Sequence, residues 1–189
     1  MPDLCLNRGN ETYPKGIFSK PLEEKFIMSV DNHLTRTIAK LAFLTPALRA
    51  TVISRIFGRV VPLVGTAGLR YEELTPERVV VSIRNRRPVQ NHIKGVHAAA
   101  MALLAETATG FAVTINLPDD KLPLIKSLKV DYLKRSQGDM CAVATLTREQ
   151  IELIRSAPKG EVLVPVRVTD ESGEEPVRCE MLWAWVPKK

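Results

Sequence analysis

The chain has 189 residues, 45% of them hydrophobic and 25% charged, which is the composition of one ordinary folded domain with a short appendage. Its formal net charge of +6 is spread along the chain, and aromatic residues make up only 5%. The positive charge favours binding of a small anionic ligand, and the alternative is that it only keeps the protein soluble. The spread charge and the few aromatic residues speak against a nucleic-acid-binding protein, which would show a clustered basic face or an aromatic stacking platform.

The cysteines and the N-terminus favour a cytoplasmic protein. Cys5, Cys141 and Cys179 are odd in number and widely spaced, so they predict neither a disulfide framework nor a zinc site. The polar N-terminus lacks the apolar core of a signal peptide. The apolar run 96–117 has the length of a membrane span, but its alanines, threonines, glycine and Glu106 indicate a buried helix instead of a stable membrane insertion.

The N-terminal third divides into two predicted segments. Residues 1–31 show no sustained periodicity and contain several prolines, so an irregular arm is expected. Residues 32–62 predict a helical lead-in, in which Thr45 is a cap, Pro46 the first helical residue and Gly58 the helix end. One helix face carries the apolar residues Leu48, Val52, Ile53, Ile56 and Phe57. This face is expected to dock on the core, and a membrane surface or a partner is the alternative.

Beyond the lead-in, the hydrophobic period changes to two, which indicates strands. The predicted strands cover residues 69–74, 77–86, 126–136, 140–147, 161–170 and 177–187. LPDDKLPLI is predicted as a loop, and REQIELIRSAPKG as a short helix or a strand exit with a helical turn. Between the second and third strands, NHIKGVHAAAMALLAETATG (91–110) reads as one long apolar helix. Strands beside one central helix predict an α+β fold whose antiparallel sheet curls around that helix.

Glu106 is the one charge between His97 and Asp119. A lone carboxylate is expensive to bury, so it reaches water, pairs across an interface with an arginine such as Arg86 or Arg87, or has a chemical task. Nearby Asn91 has the alternative role of capping a turn. His97 can likewise cap the helix or satisfy a hydrogen bond in the core. Trp183 and Trp185 alternate on the last strand and are expected in the core or an interface.

The spacing of Asn91, His97 and Glu106 resembles that of hotdog-fold thioesterases of the phenylacetyl-CoA type. SLKVDYLKRSQGDMCAVATL also resembles the strand–turn–strand of that family, with its GD turn. The resemblance covers residues 63–189, and the lead-in 32–62 is similar to that of a hotdog branch mostly of unassigned function. It implies a curved antiparallel sheet wrapped around one long central helix, with the lead-in as an N-terminal extension.

The resemblance further implies an acyl-CoA or related acyl-thioester hydrolase. It would be a homodimer, or a dimer of dimers, with the substrate in a tunnel at the subunit interface. Glu106 would be the general base or nucleophile, the Ala98 amide would hold the oxyanion, and Asn91 and His97 would orient substrate or water. No metal or separate cofactor is needed, because coenzyme A belongs to the substrate. The basic residues that could hold its phosphates are Arg86, Arg87, Lys129, Lys134 and Arg135.

Helix geometry supports a shared site. The N–H groups at a helix start suit an oxyanion, but Glu106 lies about two and a half turns beyond Ala98 and cannot serve a carbonyl held there in the same subunit. A non-catalytic acyl-CoA- or lipid-binding protein remains the alternative, because it would tolerate Ala98 and Ala99 where the family has glycines. A hotdog dehydratase would also use histidine and a carboxylate, but at a spacing that this chain lacks.

Overall fold

The structure is a computed structural model that describes residues 30–189, so the predicted arm lies outside it apart from its last two residues. Three helices begin the described chain: α1 (His33–Ala39), α2 (Pro46–Val60) and α3 (Pro62–Ala67). The sequence reading missed α3 and placed the end of the helical segment at residue 62. Pro62 nevertheless begins α3, since a proline at the first helical position loses no intrahelical hydrogen bond.

Gly58 does not end α2, as its sequence position had suggested. The helix continues to Val60, and a Cβ on Gly58 would lie 2.9 Å from the Gly65 Cα atom of α3. The glycine therefore allows two helix backbones to touch. Sequence alone does not distinguish this requirement from a C-cap.

The expected apolar face of α2 docks only in part. Ile53 is buried and Phe57 packs against the core, whereas Leu48 is exposed. Thr45 does occupy the N-cap position, but its side chain makes no capping hydrogen bond. The helix start therefore depends on the proline that follows and on packing further along.

Asn32 fixes the start of α1 to the far end of the central helix. Its side-chain nitrogen donates to the carbonyls of Thr114 at 3.0 Å, Ile115 at 3.3 Å and Leu117 at 2.8 Å. Its side-chain oxygen accepts from the Thr35 amide and caps α1. One buried asparagine thus satisfies groups at the ends of two helices.

Seven strands form two antiparallel sheets around the central helix α4 (Ala98–Asn116). Their bounds are β1 (Arg70–Leu74), β2 (Arg78–Ile83), β3 (Lys121–Tyr132), β4 (Met140–Thr145), β5 (Gly160–Val164), β6 (Val166–Asp170) and β7 (Val177–Pro187). The strand orders are β1-β2-β4-β6 and β3-β7-β5. A short helix, α5 (Arg148–Ser156), follows β4.

Pro165 joins the two sheets. The single strand predicted over 161–170 is in fact β5 and β6, which lie in different sheets and are separated only by this residue. Proline cannot donate to a strand ladder, so pairing is interrupted there and the chain passes from one sheet to the other. The two sheets consequently form one curved surface around α4.

The start of β3 also differs from the prediction. The strand begins at Lys121 and runs through Pro123, within the stretch expected to be a loop, and it ends at Tyr132. Among the described residues β3 pairs only with β7, so it is an edge strand. Edge strands tolerate proline, which explains why a sequence pattern typical of a loop lies in a sheet.

The central helix begins later than its sequence pattern suggested, and the stretch after Gly110, which could extend the helix or begin a strand, extends it. Residues 91–97 form a loop, and α4 extends through FAVTINL to Asn116. Eleven of its residues are buried, and it contacts strands of both sheets. Although α4 has the length and hydropathy of a membrane-spanning helix, it is the core helix of the fold, as predicted.

Trp183 and Trp185 of β7 are both buried, which confirms the expected core packing. The Trp183 indole nitrogen donates to the Thr109 hydroxyl oxygen at 2.9 Å. A Cβ at Gly110 would lie 2.8 Å from the same indole ring. The glycine therefore lets a tryptophan lie directly on the helix backbone.

Replacing Gly110 by alanine is expected to lower the free energy of unfolding by about 1–3 kcal/mol, because the added methyl overpacks against Trp183. Helix propensity alone would give a gain of about 1 kcal/mol. Urea denaturation decides the sign. In a Trp183→Leu background, where the ring is gone, the alanine should be neutral or stabilising, and an equal loss in both backgrounds would contradict the contact.

Candidate active site

The start of α4 is organised by His97, which is its N-cap. The His97 Nδ1 atom accepts from the Ala99 amide at 3.1 Å, and the His97 carbonyl accepts from the amides of Ala100 and Met101. The capping role considered for His97 is therefore the one observed. The amide of exposed Ala98 donates to no group within residues 30–189 and is free to bind an anion.

Tyr132 holds this helix start from the edge strand. Its hydroxyl donates to the Ala98 carbonyl at 2.9 Å, so β3 and the first turn of α4 are joined directly. Burial raises the pKa of the phenol, which keeps it a donor at neutral pH. Sequence reasoning did not single out this tyrosine as a site residue, although it lies in the strand that carried the family resemblance.

Asn91 shapes the loop that leads into α4. Its side-chain oxygen accepts from the amides of Ile93 and Gly95, each at 3.0 Å, which is the turn-capping role considered for it. Within this turn Lys94 has a φ of 64°, and its carbonyl accepts from the Asn85 side chain at 3.1 Å. The side-chain nitrogen of Asn91 makes no hydrogen bond to a described residue.

Ser136 is a polar neighbour of this loop that the sequence did not reveal. Its buried hydroxyl has no hydrogen-bond partner within the described part of the chain. A Cβ on Gly95 would lie 3.3 Å from the Ser136 hydroxyl and 3.7 Å from the Asn91 side-chain nitrogen. Gly95 thus lets the loop before α4 and the loop between β3 and β4 approach closely.

Glu106 is half-buried in α4, and burial raises its pKa. The Thr107 hydroxyl donates to it at 3.5 Å, which is a weak opposing contribution. No residue between 30 and 189 forms an ion pair with it. Within the subunit, Arg86 donates instead to the Thr66 carbonyl at 3.2 Å, and a pair with an arginine across an interface stays an alternative.

Three aromatic rings form a cluster where α2, β1 and α4 meet. Tyr71 of β1 lies 4.5 Å from Phe111 of α4 and 5.4 Å from Phe57 of α2, measured between ring centroids. Burial and the charge of Glu106 raise the pKa of the Tyr71 phenol. The lead-in helix α2 therefore packs on β1 and α4 through the Phe57 ring.

A single subunit does not bring the proposed catalytic groups together. His97, Ala98 and Tyr132 meet at the start of α4, with Asn91 in the adjoining loop. Glu106 lies eight positions after Ala98, which is about 12 Å along a helix axis. The carboxylate and the free amide cannot contact one small carbonyl group within the same subunit.

The basic residues considered for CoA phosphates differ in their availability. Lys129 pairs with Glu180 at 3.2 Å and Asp131 at 3.5 Å, and Lys134 pairs with Glu174. Arg86 is held by the carbonyl of Thr66. The remaining two, Arg87 and Arg135, are exposed and form no ion pair with the described residues.

A cavity of about 280 Å³ lies at the opposite end of α4, beside Pro118, Lys121 and Arg155. The Lys121 ammonium donates to the carbonyls of Arg155 at 3.0 Å and Ala157 at 2.8 Å. Its charge therefore caps the end of α5, and the cavity is far from Ala98. Within residues 30–189, no group of three His, Cys, Asp or Glu side chains is placed to hold a metal ion.

Residues 49–186 match a protein family described as a domain of unknown function, DUF4442. The match covers well over half of the chain, so it establishes family membership. No curated protein matches the sequence.

Solved structures with a similar fold come from several bacteria. A protein of unknown function from Pseudomonas aeruginosa, called a probable thioesterase, is 24% identical, with a TM-score of 0.65 over 73% of this chain and 95% of that one. A putative thioesterase from Shewanella oneidensis is 12% identical, with a TM-score of 0.63 over 73% and 97%. A thioesterase family protein from Silicibacter pomeroyi is 17% identical, with a TM-score of 0.57 over 71% and 96%. The chain therefore belongs to the DUF4442 family, and it has the hotdog fold that its sequence had indicated.

Proposed function

We propose that the protein hydrolyses an acyl-CoA or related acyl thioester in the cytoplasm, as a homodimer. The observation that carries the proposal is Glu106, a half-buried carboxylate of raised pKa without an ion-pair partner among residues 30–189. Groups of this kind are typical of general bases. The names of the similar solved structures, which are called thioesterases, agree with it.

In the proposed reaction, Glu106 removes a proton from water while the water oxygen attacks the thioester carbonyl carbon. The carbonyl oxygen becomes an oxyanion, which accepts a hydrogen bond from the Ala98 amide. The carbon–sulfur bond then breaks, and the proton held by Glu106 passes to the departing thiolate. The products are a carboxylic acid and a thiol. Asn91 and His97 contribute by holding the loop and the first turn that present the Ala98 amide.

The edge strand β3 supports the proposed dimer. Ile125, Leu128 and Tyr132 are 40%, 45% and 51% exposed, although they lie opposite the buried residues Trp183, Met181 and Val177 of β7. Directly paired residues point to the same face of a sheet. The core-facing side of β3 is therefore uncovered, and a long apolar edge is a template for pairing with another chain. A second copy, with its β3 alongside, would cover this edge.

A second subunit would also bring together the Ala98 amide and the Glu106 carboxylate, which are too far apart within one subunit. In a twofold dimer, the Ala98 amide of one subunit and Glu106 of the other can face the same carbonyl, giving two equal sites. Of the basic residues, Arg87 and Arg135 are the best candidates for the CoA phosphates, because neither is held by a carboxylate of the described chain.

The alternative is a protein that binds acyl-CoA without turnover. It is favoured by Ala98 and Ala99, whose methyl groups narrow the approach to the helix start where the family has glycines. Thiol release from short-, medium-, long-chain and aryl acyl-CoAs separates the two. We expect catalytic release from at least one class. Acyl-CoA that raises the melting temperature but yields no thiol would establish the binding protein. If acyl-CoA neither raises the melting temperature nor yields thiol, both proposals are overturned.

A further inference from the structure

We propose that helices α2 and α3 bind the surface of an anionic phospholipid bilayer, with α2 lying in the headgroup layer. The binding is peripheral, because α4 remains the buried core helix of the fold. The surface contains none of the residues assigned to the proposed hydrolysis. The inference therefore goes beyond that function and does not depend on it.

The first argument is charge. Between Asp31 and Glu72 the sequence contains no acidic residue. The basic residues of the same stretch are Arg36, Lys40, Arg49, Arg55, Arg59 and Arg70. Lys40, Arg55 and Arg59 are exposed and form no ion pair with a residue between 30 and 189. Unpaired positive charge of this kind attracts the anionic headgroups of a membrane surface.

The second argument is the exposure of large apolar side chains beside these charges. Phe43, Val60 and Leu63 are 82%, 70% and 63% exposed, the highest values among the large hydrophobic residues of the described chain. Val60 directly follows Arg59, and Phe43 lies three positions after Lys40. Exposed apolar and basic side chains together are typical of helices that bind in the membrane interface.

The two sides of α2 have different contacts. Ala50 and Ile53 are buried on the side that packs on the domain. Helical spacing places on the opposite side Leu48, Val52, Arg55, Ile56 and Arg59, which we call the outer face of α2. Arginine stems can lie among lipid chains while their charged ends reach the headgroup phosphates. The outer face therefore suits a surface that is apolar within and anionic above.

The length of this surface favours a bilayer over a folded protein partner. The 15 residues of α2 span about 22 Å. Phe43 precedes the helix and Leu63 follows it, so the most exposed apolar side chains lie at two separate points with arginines in the intervening turns. A protein interface normally gathers its apolar residues in one central patch with a polar rim. A fluid headgroup layer has no such requirement.

Co-sedimentation of the full chain with phosphatidylcholine vesicles, with and without phosphatidylglycerol, tests the charge argument. We expect binding only when phosphatidylglycerol is present, and weaker binding as salt is added. Arg55→Gln combined with Arg59→Gln should lower the partition coefficient about 25-fold, since each charge contributes roughly fivefold. The matched control, Arg148→Gln with Arg178→Gln, removes two exposed arginines outside the lead-in and should leave binding nearly unchanged.

A second pair of variants tests the apolar contribution at constant charge. Val60→Ser combined with Leu63→Ser should lower binding to the same vesicles on the order of 10-fold, because less apolar surface leaves water. Leu153→Ser with Leu163→Ser, at exposed positions of α5 and β5, should not. The substituted side chains are exposed, so the melting temperature should stay the same in both variants.

A full chain that does not bind phosphatidylglycerol vesicles would overturn the inference. Equal losses in the two arginine variants, or unchanged binding in Val60→Ser with Leu63→Ser, would also overturn it, by showing a general attraction between charges. Variants that reduce self-association in sedimentation analysis without affecting vesicle binding would assign the surface to a second copy of the chain instead. Thiol release is not measured in these experiments, so failure of the proposed hydrolysis would leave the inference standing.

Discussion

Replacement of Glu106 by glutamine is expected to lower kcat for thioester hydrolysis by about 10²–10⁴-fold, the contribution of a positioned general base. Glutamine has nearly the same shape but cannot accept the proton of the attacking water. Because no ion pair with a described residue is broken, the fold should be kept. Thiol release under saturating substrate measures the effect, and exposed Glu152→Gln on α5 is the control that should leave it unchanged.

The pH dependence gives an independent check. Burial raises the Glu106 pKa, so wild-type kcat/KM should increase as pH rises through this raised value, where the base becomes ionised. In Glu106→Gln the residual activity should lack this limb. An unchanged pH profile in the variant would assign the base to another residue.

The stability of the wild-type protein should fall over the pH range in which its activity rises. A carboxyl whose folded pKa is raised binds more protons in the folded state than in the unfolded state, so its contribution becomes unfavourable as pH rises between the two values. Glu106→Gln should therefore be more stable than wild type at neutral pH. The gain should vanish below the unfolded pKa, where both states are protonated. Thermal melts across this range measure it.

Replacement of Ala98 by proline is expected to abolish most of the activity, by about 10²–10³-fold, the usual effect of losing one oxyanion donor. Proline removes the amide hydrogen and is well tolerated at the first helical position. His97 already has the extended backbone that a residue before proline requires, with φ −65° and ψ 142°. The helix and the Tyr132 contact to the Ala98 carbonyl should therefore survive, which circular dichroism and thermal melts check.

A mixture of the two inactive variants tests whether the site is shared. In a dimer with one Ala98→Pro subunit and one Glu106→Gln subunit, one site has both intact groups and the other has neither. With random exchange about half of the dimers are mixed, so activity should recover to about a quarter of wild type. A site within one subunit would give no recovery.

The activity recovered in the mixture of variants should require a dimer formed through the edge strand β3. Leu128→Asp places a charge on the uncovered core-facing side of β3, so it should give monomers in sedimentation analysis and abolish the recovered activity. Leu163→Asp is the matched control, because Leu163 is a comparably exposed leucine on β5. Dimers that persist in Leu128→Asp would place the interface elsewhere.

Much of the fold could be predicted from the periodic spacing of hydrophobic residues. The alternation in β2 and β7 and the apolar length of α4 are local properties, and each predicted its element. The errors lie where tertiary contacts decide. Gly58 touches another helix, Pro123 is tolerated because β3 is at an edge, and Pro165 divides a strand between two sheets.

Only part of the candidate site could be predicted from the sequence. Glu106 stood out because one charge interrupts an apolar helix. The capping roles of Asn91 and His97 were among the alternatives considered, and the structure shows both capping contacts. Ser136 left no signal, because an unpaired buried hydroxyl is defined by neighbours that are distant in sequence.

The contacts of Asn32 determine where the folding unit begins. The family match starts at residue 49, and a chain cut there would leave the carbonyls of Thr114, Ile115 and Leu117 without the donor that Asn32 supplies. The lead-in is also held at its other end, where Phe57 packs against Phe111. The helices before β1 therefore act as a strap along the central helix, and they should unfold together with it in one cooperative transition.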